Sequence, residues 1–250
     1  MNILLIKVTL MPLVIGLVTL VSRRWGNKAG GLIASMPWVA GPILLFLILE
    51  HGKPFGIDAL PGVFIGILSL ICFCYCYARL APHLSGIWTL LLSYLAFVLA
   101  ALLVNAIKLD LVTGYGIVIG SVLLALRFFP NPAVASSTGR RLPYDLPIRM
   151  VVATLFVIAI TGLAAVLGPT WSGILTPFPI ITSILAVFTH YLQGSSAAIA
   201  ALRGIMMGLL GFTTFLFLQG ILLPDYSIGQ SFIFALLING IINVIVSRTA

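Results

Sequence analysis

Apolar runs, each close to the twenty residues that span a bilayer's hydrocarbon, succeed one another along the whole chain, and only short polar turns part them. The pattern predicts helices at 3–22, 30–50, 59–79, 86–107, 111–129, 147–167, 171–192, 199–222 and 228–247. The longest hydrophilic stretch, PNPAVASSTGRRLPYDLP from Pro130 to Pro147, reads as a loop because Pro, Ser and Gly supply turns. No separate soluble domain fits between the apolar runs.

Two of these segments contain prolines where a continuous helix would not: SMPWVAGP, Ser35 to Pro42, and TPFPIITS, Thr176 to Ser183. The two stretches correspond under a shift of 142 residues, which carries Gly52 onto Gly194 and Pro37 onto Pro179. The same shift sets Gly31 on Gly173, Gly26 on Gly168, Lys7 on Arg149, Thr19 on Thr161 and Ser85 on Ser227. It also sets Ala59, Leu60, Gly62 and Gly66 on Ala201, Leu202, Gly204 and Gly208. Agreement of Gly, Pro and basic residues over four successive helices points to internal duplication.

The expected fold is therefore an all-α integral membrane protein of about nine transmembrane helices, arranged as two inverted four-helix repeats plus a linking helix. The first repeat covers 1–108, the linking helix and a cytoplasmic loop 109–145, and the second repeat 146–250. An odd helix between the copies turns the second upside down; were the segment at 111–129 not to span, the repeats would be parallel.

Positively charged loops tend to remain in the cytoplasm. With the N-terminus outside and the C-terminus in the cytoplasm, Arg23, Arg24, Lys28, Arg79, Arg127, Arg140, Arg141, Arg149, Arg203 and Arg248 fall on or near the cytoplasmic side. Lys7, Lys53 and Lys108 fall on the other. The expected location is the cell (inner) membrane. The first apolar run lacks a basic segment before it and a small-residue cleavage site after it, so it reads as a retained span.

Composition agrees with this picture. Of 250 residues, 61% are hydrophobic and 7% charged, with a mean hydropathy of +1.23, against roughly 25% charged in soluble domains. The net charge of +8 follows from membrane orientation; no basic patch interleaved with aromatics offers a nucleic-acid face. Cys72, Cys74 and Cys76 lie two apart on a helix and so cannot converge on one metal or form an unstrained disulfide.

The paired breaks are the leading candidate site. Proline withholds an amide and clashes with the preceding turn, so backbone groups at membrane depth must be met by protein or by a wet cavity. Half-helix ends there can face a solute. Candidate substrate-binding residues are Ser35, Pro37, Trp38, Gly41 and Pro42 in the first break. In the second they are Thr176, Pro177, Phe178, Pro179, Thr182 and Ser183, with hydroxyls for hydrogen bonding and aromatic faces for stacking. The plainer reading is that Pro and Gly, frequent in membrane helices, only shape packing.

Ionisable groups in or beside spans are the second candidate set. Glu50 and His190, each at a helix end, and Arg203, further inside, are candidates for proton or charge coupling, against the alternative that they mark interfaces. Lys7 and Arg149 are expected to snorkel to the membrane surface. No acid lies mid-span, which weighs against cation antiport. The matching pairs Gly62/Gly66 and Gly204/Gly208 predict close packing of the helices at 59–79 and 199–222 on each other.

Enzyme signatures such as HExxH, a carboxylate pair at helical spacing or a phosphate-cradling loop do not occur. The chain is expected not to be an enzyme and to need no cofactor or metal. It also has no ATP-binding module, so transport would be passive or driven by an ion gradient.

The run GGLIASMPWVAGPILLFLILEHG and its second copy GILTPFPIITSILAVFTHYLQG resemble the Gly, Pro and apolar pattern of the GlpM-like small membrane proteins. The resemblance implies a fused, inverted pair of such units in a bacterial inner membrane, and it transfers no substrate and no residue role. The leading expectation is a secondary transporter or permease for a small organic solute, with alternating access about the paired kinks. The alternative is a non-transporting membrane component that assists envelope assembly or polymer export. Expected partners are the lipid bilayer and a small-molecule solute, with a homo-oligomer or a membrane partner left open, and no nucleic acid.

Overall fold

A computed structural model describes residues 4–10, 12, 13, 16, 36–107, 109–131 and 144–249. The helices that can be bounded are α1 (Ala40–His51), α2 (Lys53–Leu80), α3 (Gly86–Asn105), α4 (Leu111–Arg127), α5 (Asp145–Leu175), α6 (Ile180–Gln193), α7 (Ser195–Leu222) and α8 (Ile228–Thr249). Residues 4–10 are helical as well. No strand occurs among the described residues. Of the bounded helices, α2, α3, α5, α7 and α8 are long and apolar enough to cross a membrane, while α1, α4 and α6 are shorter apolar helices. The chain is a helical membrane protein. Ser35, Gly26, Gly31, Thr19, half of the first predicted span and residues 132–143 of the Pro130–Pro147 loop lie outside the described residues.

Helix bounds repeat at the same shift of 142 residues. Lys53–Leu80 and Ser195–Leu222 are both 28 residues long, and α3 and α8 begin at Gly86 and Ile228. Each of α2 and α7 is entered through a glycine, Gly52 at φ 90°, ψ 163° and Gly194 at φ 88°, ψ 172°. That backbone region is essentially closed to residues with a Cβ. The turn lets α1 end and α2 begin within a single residue, and α6 and α7 do the same.

The hydrogen bonds of the breaks match too. Trp38 N donates to Met36 O at 2.7 Å, and Ile180 N to Phe178 O at 2.8 Å; Gly41 N and Ser183 N donate to Pro37 O and Pro179 O, both at 2.9 Å. The i+2 bond closes a three-residue turn around the proline. Pro179, at φ −76° and ψ 52°, has the geometry of an inverse γ-turn, whose φ the pyrrolidine ring imposes in advance.

α2 and α7 are central and buried over most of their length, whereas α3 and α8 are mostly exposed. The two central helices run antiparallel. Lys53, at the start of α2, donates to Leu223 O at 3.0 Å and Tyr226 O at 2.7 Å, just past the end of α7. At the other end, Tyr77 of α2 meets His190, which precedes the start of α7. α4 lies beside α2 in the same direction: Leu111 packs near Gly220, and Arg79 donates to Phe128 O at 3.0 Å.

Three sequence expectations are corrected. The segment 171–192 is not one helix: its first part is the end of α5, which is interrupted at Gly168 (φ 70°, ψ 173°), and Thr176–Pro179 then separates it from α6. Proline and glycine broke the span rather than bending it. The segment 59–79 starts earlier, at Lys53, because Pro54 occupies the first turn, where a missing amide costs nothing. Finally, the helices at 59–79 and 199–222 do pack on each other as α2 and α7, but the nearest neighbours of Gly62 and Gly66 are the backbone of Thr170 and Ile174 in α5, and Gly173 lies against Ala59 O. The small residues bring α2 onto the short helical segment 169–175, backbone to backbone.

Candidate functional site

The two breaks face one another across a cavity of about 60 Å³. From the first break and the start of α1 it is lined by Met36, Val39 and Ala40; from the second break and the start of α6, by Thr176, Pro177, Phe178, Ile180, Ile181 and Thr182. Leu70 of α2 and Ile205, Leu209 and Phe212 of α7 close the sides. Under the 142-residue shift, Met36 corresponds to Phe178, Val39 to Ile181, Ala40 to Thr182 and Leu70 to Phe212. Equivalent positions of the two halves thus form much of one wall each, but the second half supplies the aromatic ring and the hydroxyl.

Phe178 is held rigidly. Its ring stacks on Tyr94 at 5.4 Å between centroids and on Phe156 at 5.5 Å, and meets Phe97 edge-on at 5.1 Å. Tyr94 in turn donates to Ser183 Oγ at 2.7 Å, while Ser183 donates to Ile180 O at 2.9 Å. Thr176 Oγ1 donates to Ser172 O at 2.8 Å. Thr182, 8% exposed, has no hydrogen-bond partner for its hydroxyl among the described residues. Neither α1 nor α6 has a side-chain cap or an acidic residue in its first turn.

Of the residues expected from sequence, Thr176, Pro177, Phe178 and Thr182 line the cavity. Pro37, Pro179 and Ser183 shape the turns behind it. Gly41 packs on Pro37 and Phe215, and Trp38 lies in the turn without lining the cavity. Pro42 does not break a helix: it sits in the first turn of α1, where its missing amide is harmless. The sequence reading missed the apolar lining at Met36, Val39, Ala40, Ile180 and Ile181 within the breaks, and Leu70, Ile205, Leu209 and Phe212 outside them; the spacing of the last three, i, i+4 and i+7, marks one face of α7 and would have found it.

Glu50, His190 and Arg203 are not brought together, and none of them lines the cavity. Glu50 receives Lys7 Nζ at 2.6 Å, and the same ammonium donates to Thr161 Oγ1 at 2.7 Å. Lys7 therefore does not snorkel outward: it is 4% exposed and lies 5.3 Å from the centre of the Phe46 ring. The cluster ties the N-terminal helical segment to α1 and α5. At the opposite end, Tyr77 Oη and His190 Nδ1 are 3.2 Å apart. Arg203 is half-buried in the third turn of α7.

Cys74 is buried while Cys72 is exposed, and no group of His, Cys, Asp and Glu suited to a metal occurs among the described residues. No family model matches the chain, and no curated protein or solved structure matches it either.

Proposed function

We propose that the protein is a secondary transporter or permease for a small organic solute, built from two inverted repeats and working by alternating access at the cavity between the helix breaks. The observation that carries this reading is the cavity itself. It lies where the turns that precede α1 and α6, with matching hydrogen bonds, meet at sequence-equivalent positions between antiparallel central helices. Irregular backbone at membrane depth is tolerated where it lines such a space, and rocking of one repeat against the other about it would expose the space to each side in turn. The nine spans, the placement of the N-terminus outside and the C-terminus in the cytoplasm of a bacterial inner membrane, and the likeness to a fused GlpM-like pair belong to the same proposal.

The test is a single cysteine at Thr182 in a chain whose Cys72, Cys74 and Cys76 are replaced by serine. An impermeant maleimide should label it in intact cells and, separately, in inside-out vesicles. Protection from both sides, with the protein still monodisperse, would refute alternating access at this cavity.

A further inference from the structure

We infer that the cavity takes the carboxylate of a short-chain organic anion; this deepens the transport reading above and rests on it. Two helix starts border the same space, α1 at Val39 and Ala40 and α6 at Ile180, Ile181 and Thr182. A helix N-terminus carries unpaired amides and a partial positive charge of about half a unit. Gly41 N, Ile180 N and Ser183 N are taken by Pro37 O, Phe178 O and Pro179 O, but neither start has a side-chain cap or a first-turn acid to offset the helix dipole. Among the described residues, no ionisable side chain lines the cavity.

The independent observation is Thr182. Its side chain is more than nine-tenths buried, lines the cavity and has no partner for its hydroxyl among the described residues. An acceptor placed between that hydroxyl and the two helix starts meets a donor and two positive ends together. A cation at the same place would meet two repulsive dipoles and no carboxylate.

The remaining wall sets the body of the ligand. Met36, Val39, Leu70, Phe178, Ile181 and Phe212 are apolar, so the group behind the carboxylate is a hydrocarbon tail. A water-sized centre needs about 10–15 Å³, and about 60 Å³ then holds a solute the size of propionate or butyrate. Because Ala40 stands where the second half has Thr182, the hydroxyl that meets the carboxylate comes from the α6 side alone.

The experiment is equilibrium binding of radiolabelled butyrate to the full chain in lipid nanodiscs, with unlabelled competitors. Propionate should compete and butylamine should not. Butyramide, of the same shape but uncharged, should be weaker by about tenfold, as should butyrate binding to Thr182→Val, because a hydrogen bond to a charged group is lost or weakened. Thr182→Ser should bind like the parent, which separates loss of the hydroxyl from loss of fold. Equal competition by butylamine or butyramide, or unchanged binding to Thr182→Val, would overturn the assignment. If no saturable binding occurs while Thr182→Cys is labelled from both sides, the substrate class alone fails; if that cysteine is labelled from neither, the transport reading fails with it.

Discussion

Replacing Gly62 by alanine adds one methyl group where α2 meets the 169–175 segment backbone to backbone, and its effect can be worked from the contact. A Cβ built there would fall on the carbonyl of Thr170, well inside any distance real Cβ atoms adopt, with the Thr170 Cα at 3.2 Å behind it. The obstacle is backbone, so no rotamer change relieves it and α2 must part from the 169–175 segment by roughly 1 Å. Overpacking of this kind costs about 1–3 kcal/mol, partly offset by alanine's helix preference of about 1 kcal/mol over glycine. Gly120 in α4 is the control, because nothing lies within 4 Å of its Cβ position; Gly120→Ala should gain roughly 0.5–1 kcal/mol. Two chemically identical substitutions should therefore differ by about 2 kcal/mol. Denaturant titration of each purified variant in mild detergent measures the difference. Equal stability of Gly62→Ala and Gly120→Ala would refute the claim that backbone contact, rather than lipid-facing packing, holds the wall carrying Thr176.

Breaking the Lys7–Glu50 pair by Glu50→Ala should destabilise by about 3–5 kcal/mol, since it strands a buried ammonium; a double-mutant cycle with Lys7→Ala should show strong coupling, and additive losses would contradict the pairing. Gly52→Ala and Gly194→Ala should each cost about 1–3 kcal/mol through backbone strain, measured by the same titration, while Gly116→Ala, which meets nothing within 4 Å, should not. Asp110, in the turn before α4, is held below the ordinary carboxylate range by the Thr113 hydroxyl and then by the Thr113 amide. A lowered folded-state pKa stabilises above the unfolded value and is lost as pH falls through the folded one, so Asp110→Asn should lower stability at neutral pH, flatten part of the acid limb of a stability–pH profile and leave the lowest pH values nearly unchanged.

Much of the helical layout could be read directly from the chain, because apolar length and glycine–proline punctuation act locally. Gly86 and Ile228 open helices where the apolar runs were expected to begin, and Gly168, matched in sequence to Gly26, marks an interruption. The second break was visible as TPFP, but its depth was not: a proline can bend a helix or end it, and here α5 stops at Leu175 and the γ-turn at Pro179 opens a new helix, α6. Contacts between distant segments left no local trace. Lys7 looked like an interfacial lysine because nothing near it in sequence reveals that Glu50 and Thr161 converge on it. Gly62 and Gly66 announced a close crossing, and α2 does pack on α7, but nothing local showed that the backbone nearest to these glycines is that of α5. Thr182 was selected for its hydroxyl, whereas the absence of a partner for that hydroxyl depends on packing alone.

The central claim, that two inverted halves share one cavity, is tested most directly by locating the equivalent glycine turns on either side of the membrane. Single cysteines introduced at Lys53 and at Ser195, in a chain without Cys72, Cys74 and Cys76, report the Gly52 and Gly194 turns. Impermeant maleimide added to intact cells should label the cysteine at 53 and spare the one at 195, with the order reversed in inside-out vesicles. Labelling of both from the same side would mean that the halves are parallel, and the shared cavity could not then serve alternating access.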